Sequence, residues 1–168
     1  MLLIDADLRN PSLHKLFQIA NHKGLTNYLS GRSRPADIAQ ATGIKGLFLI
    51  SSGPVPPNPA ELLAGGKMVD LVALAARRFD YVIIDSPPVL GQADALILAD
   101  LAQATLLVAA ANSTRTGASE DGLKRLRHSL ANILGTVLTK FETHKSSYDY
   151  KYSDGYGGQG DGQERQSG

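Results

Sequence analysis

Two short apolar runs that each end in aspartate place the strongest constraint on how this chain folds. They read LLIDAD at residues 2–7 and YVIID at residues 81–85. A continuous apolar run of this length is typical of a buried parallel strand, and the ligands of a parallel sheet lie at the carboxyl ends of its strands. We therefore expect Asp5, Asp7 and Asp85 to converge on one crevice, where a magnesium ion would sit.

Further apolar runs alternate with segments of helical periodicity, which predicts an α/β fold with a parallel sheet flanked by helices. The predicted strands lie at residues 2–4, 47–50, 81–84, 105–108 and 135–138. The longer predicted helices lie near residues 66–78, 93–101 and 118–131. From about residue 140 the composition shifts to Gly, Gln, Ser, Asp and Tyr, so we expect a folded part at 1–141 and a disordered tail at 142–168.

A proline-dense loop, SSGPVPPNP at residues 51–59, divides the first half of the chain. It must be largely extended, because each proline fixes its own φ and moves the preceding residue out of the helical region. We expect a helix directly after it, with Asn58 as the N-cap and Pro59 at the first helical position. The loop either stiffens a crossover or has a role in an interface or in positioning a substrate.

Composition narrows the classes of partner. At 168 residues and 43% apolar content, the chain has the size of one domain. A net charge of +1 gives no electrostatic footprint for nucleic acid or for anionic membranes, and we expect no nucleic-acid partner. Cysteine is absent from the sequence, which excludes disulfides and thiolate metal sites. Because no apolar run approaches the roughly 18 residues of a membrane span, we expect a cytoplasmic domain whose membrane attachment comes from elsewhere.

Four of the six tyrosines fall within nine consecutive positions near the carboxyl end: Tyr148, Tyr150, Tyr152 and Tyr156. The surrounding residues offer neither the length nor the aliphatic neighbours of a packed strand. An exposed aromatic cluster is unfavourable without a role. The segment is either a low-complexity tail or a set of functional tyrosines.

Several motifs together resemble one family. Residues 2–12, LLIDADLRNPS, look like the second Walker A-type motif of the bacterial tyrosine kinases that regulate capsular and extracellular polysaccharide synthesis. Residues 79–88, FDYVIIDSPP, resemble the Walker B strand of that family. Residues 53–63, GPVPPNPAELL, and residues 135–141, GTVLTKF, are similar to two further segments, and the tyrosine-rich tail matches the family's carboxyl end. The resemblance covers nearly the whole chain in one order.

This resemblance implies a P-loop NTPase-like fold that uses ATP and Mg²⁺. Asp5 is then the expected catalytic residue, accepting the proton of the tyrosine hydroxyl, while Asp7 and Asp85 hold Mg²⁺ directly or through water. At least one of the three acids is expected to act through water, since Mg²⁺ usually takes only one or two protein carboxylates. Arg9 would contact a phosphate or a neighbouring subunit; the alternative is a solvated surface arginine. The plain alternative for the acids is that they cap strand ends or helix starts.

The sequence departs from the family pattern in two places. It contains no Gly-rich stretch ending in Gly-Lys-Ser or Gly-Lys-Thr, the loop that cradles phosphates. We therefore expect an N-terminally truncated kinase domain that is inactive alone and that leaves a strand edge unpaired. In addition, Thr139 stands where many relatives carry an asparagine, a departure at a position that the resemblance links to recognition of the base.

The family resemblance also implies partners. It predicts autophosphorylation of the four tail tyrosines, a ring-like homo-oligomer, protein-tyrosine substrates and a membrane-spanning polysaccharide chain-length regulator on the same or another chain. The domain would then act at the inner face of the plasma membrane. Two other functions stay open: a partitioning or septum-positioning ATPase with a similar sheet, and a non-enzymatic truncated interaction module.

Overall fold

The computed structural model describes residues 1–129 and 131–141. Its strands are β1 Leu2–Asp5, β2 Ala39–Ala41, β3 Phe48–Ile50, β4 Val82–Asp85, β5 Thr105–Ala110 and β6 Ile133–Thr139. Its α-helices are α1 Leu13–Leu16, α2 Leu25–Leu29, α3 Pro59–Leu63, α4 Gly66–Ala76, α5 Asp94–Leu101 and α6 Thr116–His128, with a 3-10 turn at Pro35–Asp37. The tail at 142–168 lies outside the described residues.

The central sheet has the order β2-β3-β1-β4, with β1 in the interior. Strand β1 runs parallel to both β3 and β4, and β2 pairs antiparallel with β3. The α/β class and the predicted strands are confirmed, but the antiparallel edge strand β2 was not predicted. Its sequence, Ala-Gln-Ala, lacks the apolar run that marks the other strands.

The predicted unpaired strand edge is present at β4. Strands β5 and β6 pair in parallel with each other in a second, two-stranded sheet, so β4 forms the outer edge of the first one. Apolar side chains are exposed on strands of both sheets: Ile83 of β4 is 49% exposed and Val108 of β5 is 62% exposed. Exposed apolar edge strands are templates for pairing with another chain.

The core packs on β1 and holds its carboxyl end in place. Leu2, Ile4 and Leu8 are buried, as are the inward positions of α4, Met68 and Leu71. In α4 these positions recur at helical spacing, which is why residues 66–76 form an amphipathic helix against the sheet. In the described part of the chain, no helix combines the length and the apolar character that crossing a bilayer requires.

The helix predictions are confirmed in position, with shifted ends. Helix α6 covers 116–128, so it starts two residues before the predicted range and ends three residues short of it. Pro59 opens α3 as predicted, and Asn58 occupies the N-cap position. The Asn58 side chain makes no hydrogen bond to the helix backbone; its Nδ2 donates instead to Oε2 of Glu61 at 3.1 Å.

Candidate functional site

Two of the predicted acids lie side by side at the carboxyl end of the sheet. Asp5 is in direct register with Asp85 on the neighbouring strand. The side chain of Asp5 is fully buried, and its Oδ2 accepts the main-chain N–H of Leu13 at 3.1 Å, where α1 begins. Its other oxygen, Oδ1, is buried and has no hydrogen-bond partner among the described residues. A buried carboxylate oxygen left unsatisfied is costly, which indicates a proton or a cation at this position.

The pKa values of Asp5 and Asp85 are both raised, mainly by burial. Burial raises the pKa of Asp5, and the negative charges of Asp85 and Asp7 raise it further, whereas the N–H groups of Leu13 and Ser12 oppose the shift. Burial also raises the pKa of Asp85, with a smaller contribution from the charge of Asp7. A buried carboxylate beside a half-buried one disfavours simultaneous ionisation, so the site favours a bound cation.

Asp7 organises the loop that leaves β1. Its Oδ1 accepts the main-chain N–H of Arg9 at 3.1 Å and that of Asn10 at 2.9 Å. This is a local turn in which an aspartate side chain replaces a main-chain acceptor. The carboxylate of Asp7 is therefore oriented by the backbone two and three residues further along the chain.

Asp5, Asp7 and Asp85 are the residues predicted to hold Mg²⁺. Among residues 1–129 and 131–141, no three His, Cys, Asp or Glu side chains are gathered as a ready metal cluster. Asp5 and Asp85 are brought together by their register, and the charge of Asp7 raises the pKa of both, so Asp7 lies within electrostatic range of the pair. The unsatisfied Oδ1 of Asp5 and the carboxylate of Asp85 suit a hard cation that keeps several waters and takes one or two protein carboxylates.

Arg9 is not a free surface arginine. Its Nε donates to Oδ2 of Asp94 at 2.8 Å and its Nη2 to Oδ1 of the same residue at 3.1 Å. The Asp94 side chain is fully buried, and that of Arg9 is 34% exposed. Sequence reasoning missed Asp94. The sequence did offer one signal. Asp94 stands at the start of a predicted apolar helix, and an acid there needs a hydrogen-bond partner if the start of the helix is buried.

The first residues of the proline-dense loop are hydrogen-bonded to the start of α2. The main-chain N–H groups of Leu25 and Thr26 donate to the carbonyl oxygens of Ser51 and Ser52, both at 2.8 Å. A Cβ at Gly24 would overlap the carbonyl oxygen of Ser51, so only glycine permits this approach. The base of the loop is thus fixed beside the sheet, while its tip is exposed.

The other residues named from the sequence are the four tail tyrosines and Thr139. Tyr148, Tyr150, Tyr152 and Tyr156 lie outside the described residues. Thr139 ends β6, and its hydroxyl donates to the carbonyl oxygen of Ala109 at 3.3 Å.

Comparisons with known proteins identify relatives of the chain. No family model matches it. The tyrosine-protein kinase YwqD of Bacillus subtilis is 38% identical over 152 residues, which cover 90% of this chain. The chain spans 64% of the length of that relative.

Solved structures show the same fold. The kinase domain of the Escherichia coli tyrosine kinase ETK superposes with a TM-score of 0.82 at 36% identity, over 90% of this chain and 60% of that one. The kinase domain of VpsO gives a TM-score of 0.78 at 33% identity, over 84% of this chain and 70% of that one. The Pyrococcus furiosus cell division ATPase MinD, at 22% identity and a TM-score of 0.65, shares the fold alone. With its motifs, fold and relatives in agreement, the chain belongs to the family of bacterial tyrosine kinases.

Proposed function

We propose that this chain is the catalytic and metal-binding part of an ATP-dependent protein-tyrosine kinase that regulates the synthesis and chain length of capsular or extracellular polysaccharide. One observation carries the proposal: the buried Oδ1 of Asp5, unsatisfied among the described residues, beside Asp85 at the end of the sheet. In a chain similar to tyrosine kinases, that oxygen is where phosphoryl-transfer chemistry needs a carboxylate.

Asp5 is suited to accept the proton of a substrate tyrosine. The N–H of Leu13 fixes one oxygen, so the other is held in place without taking a hydrogen bond from the described residues. Its raised pKa makes it a better base than an ordinary aspartate near neutral pH. Together with Asp85 the same residue would hold Mg²⁺, and Asp7 would contribute directly or through water. When bound, Mg²⁺ neutralises the charge that develops on the transferred phosphoryl group.

Arg9 is the candidate for a contact with the nucleotide. Its ion pair with Asp94 uses Nε and Nη2, and a third of the side chain is still exposed. A guanidinium held on one edge can present its other edge to a phosphate oxygen. Because the 168 residues lack a Gly-Lys-Ser/Thr loop, we propose that polypeptide outside them holds the β- and γ-phosphates, and that these residues alone transfer no phosphate.

The tail completes the proposal. Tyr148, Tyr150, Tyr152 and Tyr156 are the proposed acceptors of autophosphorylation, reached from a neighbouring copy in a ring-like homo-oligomer. Each phosphate adds about −1.5 to −2 charge, so several on one tail repel one another and favour dissociation of the ring. The proposed location is the inner face of the plasma membrane, beside a membrane-spanning chain-length regulator, and the proposed further substrates are proteins phosphorylated on tyrosine.

The test compares the chain alone with a fusion to the P-loop half of the Escherichia coli kinase domain that it matches. Both are incubated with ATP and Mg²⁺, and tail phosphotyrosine is read by mass spectrometry. We expect phosphate only in the fusion, and its loss in an Asp5→Ala fusion. A second fusion with the four tail tyrosines changed to phenylalanine tests the acceptors. ATP hydrolysis without phosphotyrosine would favour the partitioning-type ATPase, and neither activity would favour the non-enzymatic module.

A further inference from the structure

We propose that Asp94 is a positioning residue: through Arg9 it sets the orientation of the Asp7 carboxylate and thereby the affinity of the site for a divalent cation. The inference rests on the proposed metal-binding function. It assigns a role to a residue on α5, 85 positions from Arg9 in the sequence.

The first link is the ion pair itself. Arg9 meets Asp94 through two parallel hydrogen bonds of 2.8 and 3.1 Å, the fork geometry that fixes both the distance and the plane of a guanidinium. Because the Asp94 carboxylate is fully buried, it is neither hydrated nor screened as an exposed partner would be. This pair therefore holds Arg9 in one place more firmly than an exposed pair could.

The second link runs through the backbone. The N–H of Arg9 donates to Oδ1 of Asp7 at 3.1 Å, and the next N–H, of Asn10, donates to the same oxygen at 2.9 Å. One oxygen of Asp7 is thereby engaged, and its other oxygen takes no part in these two hydrogen bonds. If the Arg9 side chain is released from α5, this turn loses its anchor and the Asp7 carboxylate loses its fixed direction. Residues that orient metal-binding groups in this way typically change metal affinity by 10- to 100-fold.

The chain contains a matched control pair. Arg34 and Asp37 form the same two-bond arrangement, with distances of 3.1 and 3.0 Å, on an exposed turn away from β1. Asp37→Asn removes an aspartate from a bidentate arginine pair and leaves Asp5, Asp7 and Asp85 unchanged. An effect specific to Asp94→Asn is therefore not a consequence of losing any arginine–aspartate pair, and the Asp7→Ala background separates it from the loss of a buried pair as such.

The experiment measures Mn²⁺ binding to the 168-residue chain by electron paramagnetic resonance of free Mn²⁺. We expect Asp94→Asn to weaken Mn²⁺ binding about 10-fold, and Asp37→Asn to leave it unchanged. In an Asp7→Ala background, Asp94→Asn should cause no further weakening, because the coupling runs through Asp7. If Asp94→Asn does not fold, Arg9→Lys is used instead. Lysine keeps the positive charge beside Asp94 but cannot form the two parallel hydrogen bonds of the guanidinium.

A second readout needs no metal. Hydrogen exchange of the Arg9 and Asn10 amides is followed by NMR, and we expect exchange about 10-fold faster in Asp94→Asn, relative to amides of β1. A purely structural ion pair would lower the melting temperature and leave both Mn²⁺ affinity and this local exchange as in Asp37→Asn, which would overturn the inference. If Asp7→Ala and Asp85→Asn leave Mn²⁺ binding intact while Asp94→Asn still speeds exchange, the positioning holds and the proposed metal site is wrong.

Discussion

Replacing Asp85 by asparagine should make the metal-free protein more stable at neutral pH. Asp5 and Asp85 are in register on adjacent parallel strands, which lie about 4.8 Å apart. Two unit charges at roughly 5 Å repel by about 3 kcal/mol at an effective dielectric constant of 20. Since Asp85 is partly exposed and water screens part of this repulsion, we expect Asp85→Asn to raise the free energy of unfolding by about 1–2 kcal/mol.

The pH dependence of stability has the same sign, because burial, with a smaller contribution from the charge of Asp7, disfavours ionisation of Asp85 in the folded protein. Because the pKa of Asp85 is raised in the folded protein, the folded state holds its proton more tightly than the unfolded state does. Stability therefore falls as the pH rises from the ordinary value of about 3.9 through the raised pKa, and the full penalty persists above it. The increase in the free energy of unfolding caused by Asp85→Asn should be small below about pH 4. It should grow with pH and reach a plateau once both acids are ionised.

The measurement is urea denaturation followed by circular dichroism, with EDTA present, from pH 4 to pH 8. The matched control is Asp80→Asn, an exposed aspartate just before the same strand, for which we expect a change within about 0.5 kcal/mol. With saturating Mg²⁺ the unchanged chain should become more stable than Asp85→Asn. A Mg²⁺ concentration of 100 times Kd adds about 2.7 kcal/mol to the free energy of unfolding of a protein that retains the site. Loss of stability in Asp85→Asn at pH 7 without metal would refute the reasoning.

Three further outcomes follow from other parts of the structure. Gly24→Ala should destabilise the protein by about 1–3 kcal/mol in urea denaturation, because the new methyl overlaps main-chain atoms, whereas Gly43→Ala, with open space around it, should be nearly neutral. Arg34 lowers the pKa of Asp37 to about 2, so this pair stabilises the fold above about pH 4 and that contribution is lost as the pH falls toward 2; Asp37→Asn should flatten acid denaturation across that window. Ile83→Lys on the exposed edge of β4 should reduce self-association in light scattering, and unchanged scattering would show that this edge is not where copies pair.

Sequence reasoning predicted those parts of the fold that depend on local pattern. The runs at β1 and β4 carry their own signal, because each is apolar, short and closed by aspartate, and their register then brings Asp5 beside Asp85. Strand β2 has no such signal, since three residues with a glutamine at the centre become a strand only by pairing with β3. Asp94 was missed for a related reason: its partner is 85 residues away, and only the folded chain places them together.

Strand β4 links the stability of this chain to the chemistry of its site. It carries Asp85 at one end and forms the unpaired edge of the central sheet along its length. A strand that paired with this edge would cover Ile83 and remove water from the neighbourhood of Asp85. The lower local dielectric would strengthen the repulsion between Asp85 and Asp5 and, to the same degree, their attraction for a cation. At a pH where both acids are ionised, completing the sheet and binding the metal therefore favour each other, because covering the edge alone raises an electrostatic cost that a bound cation removes.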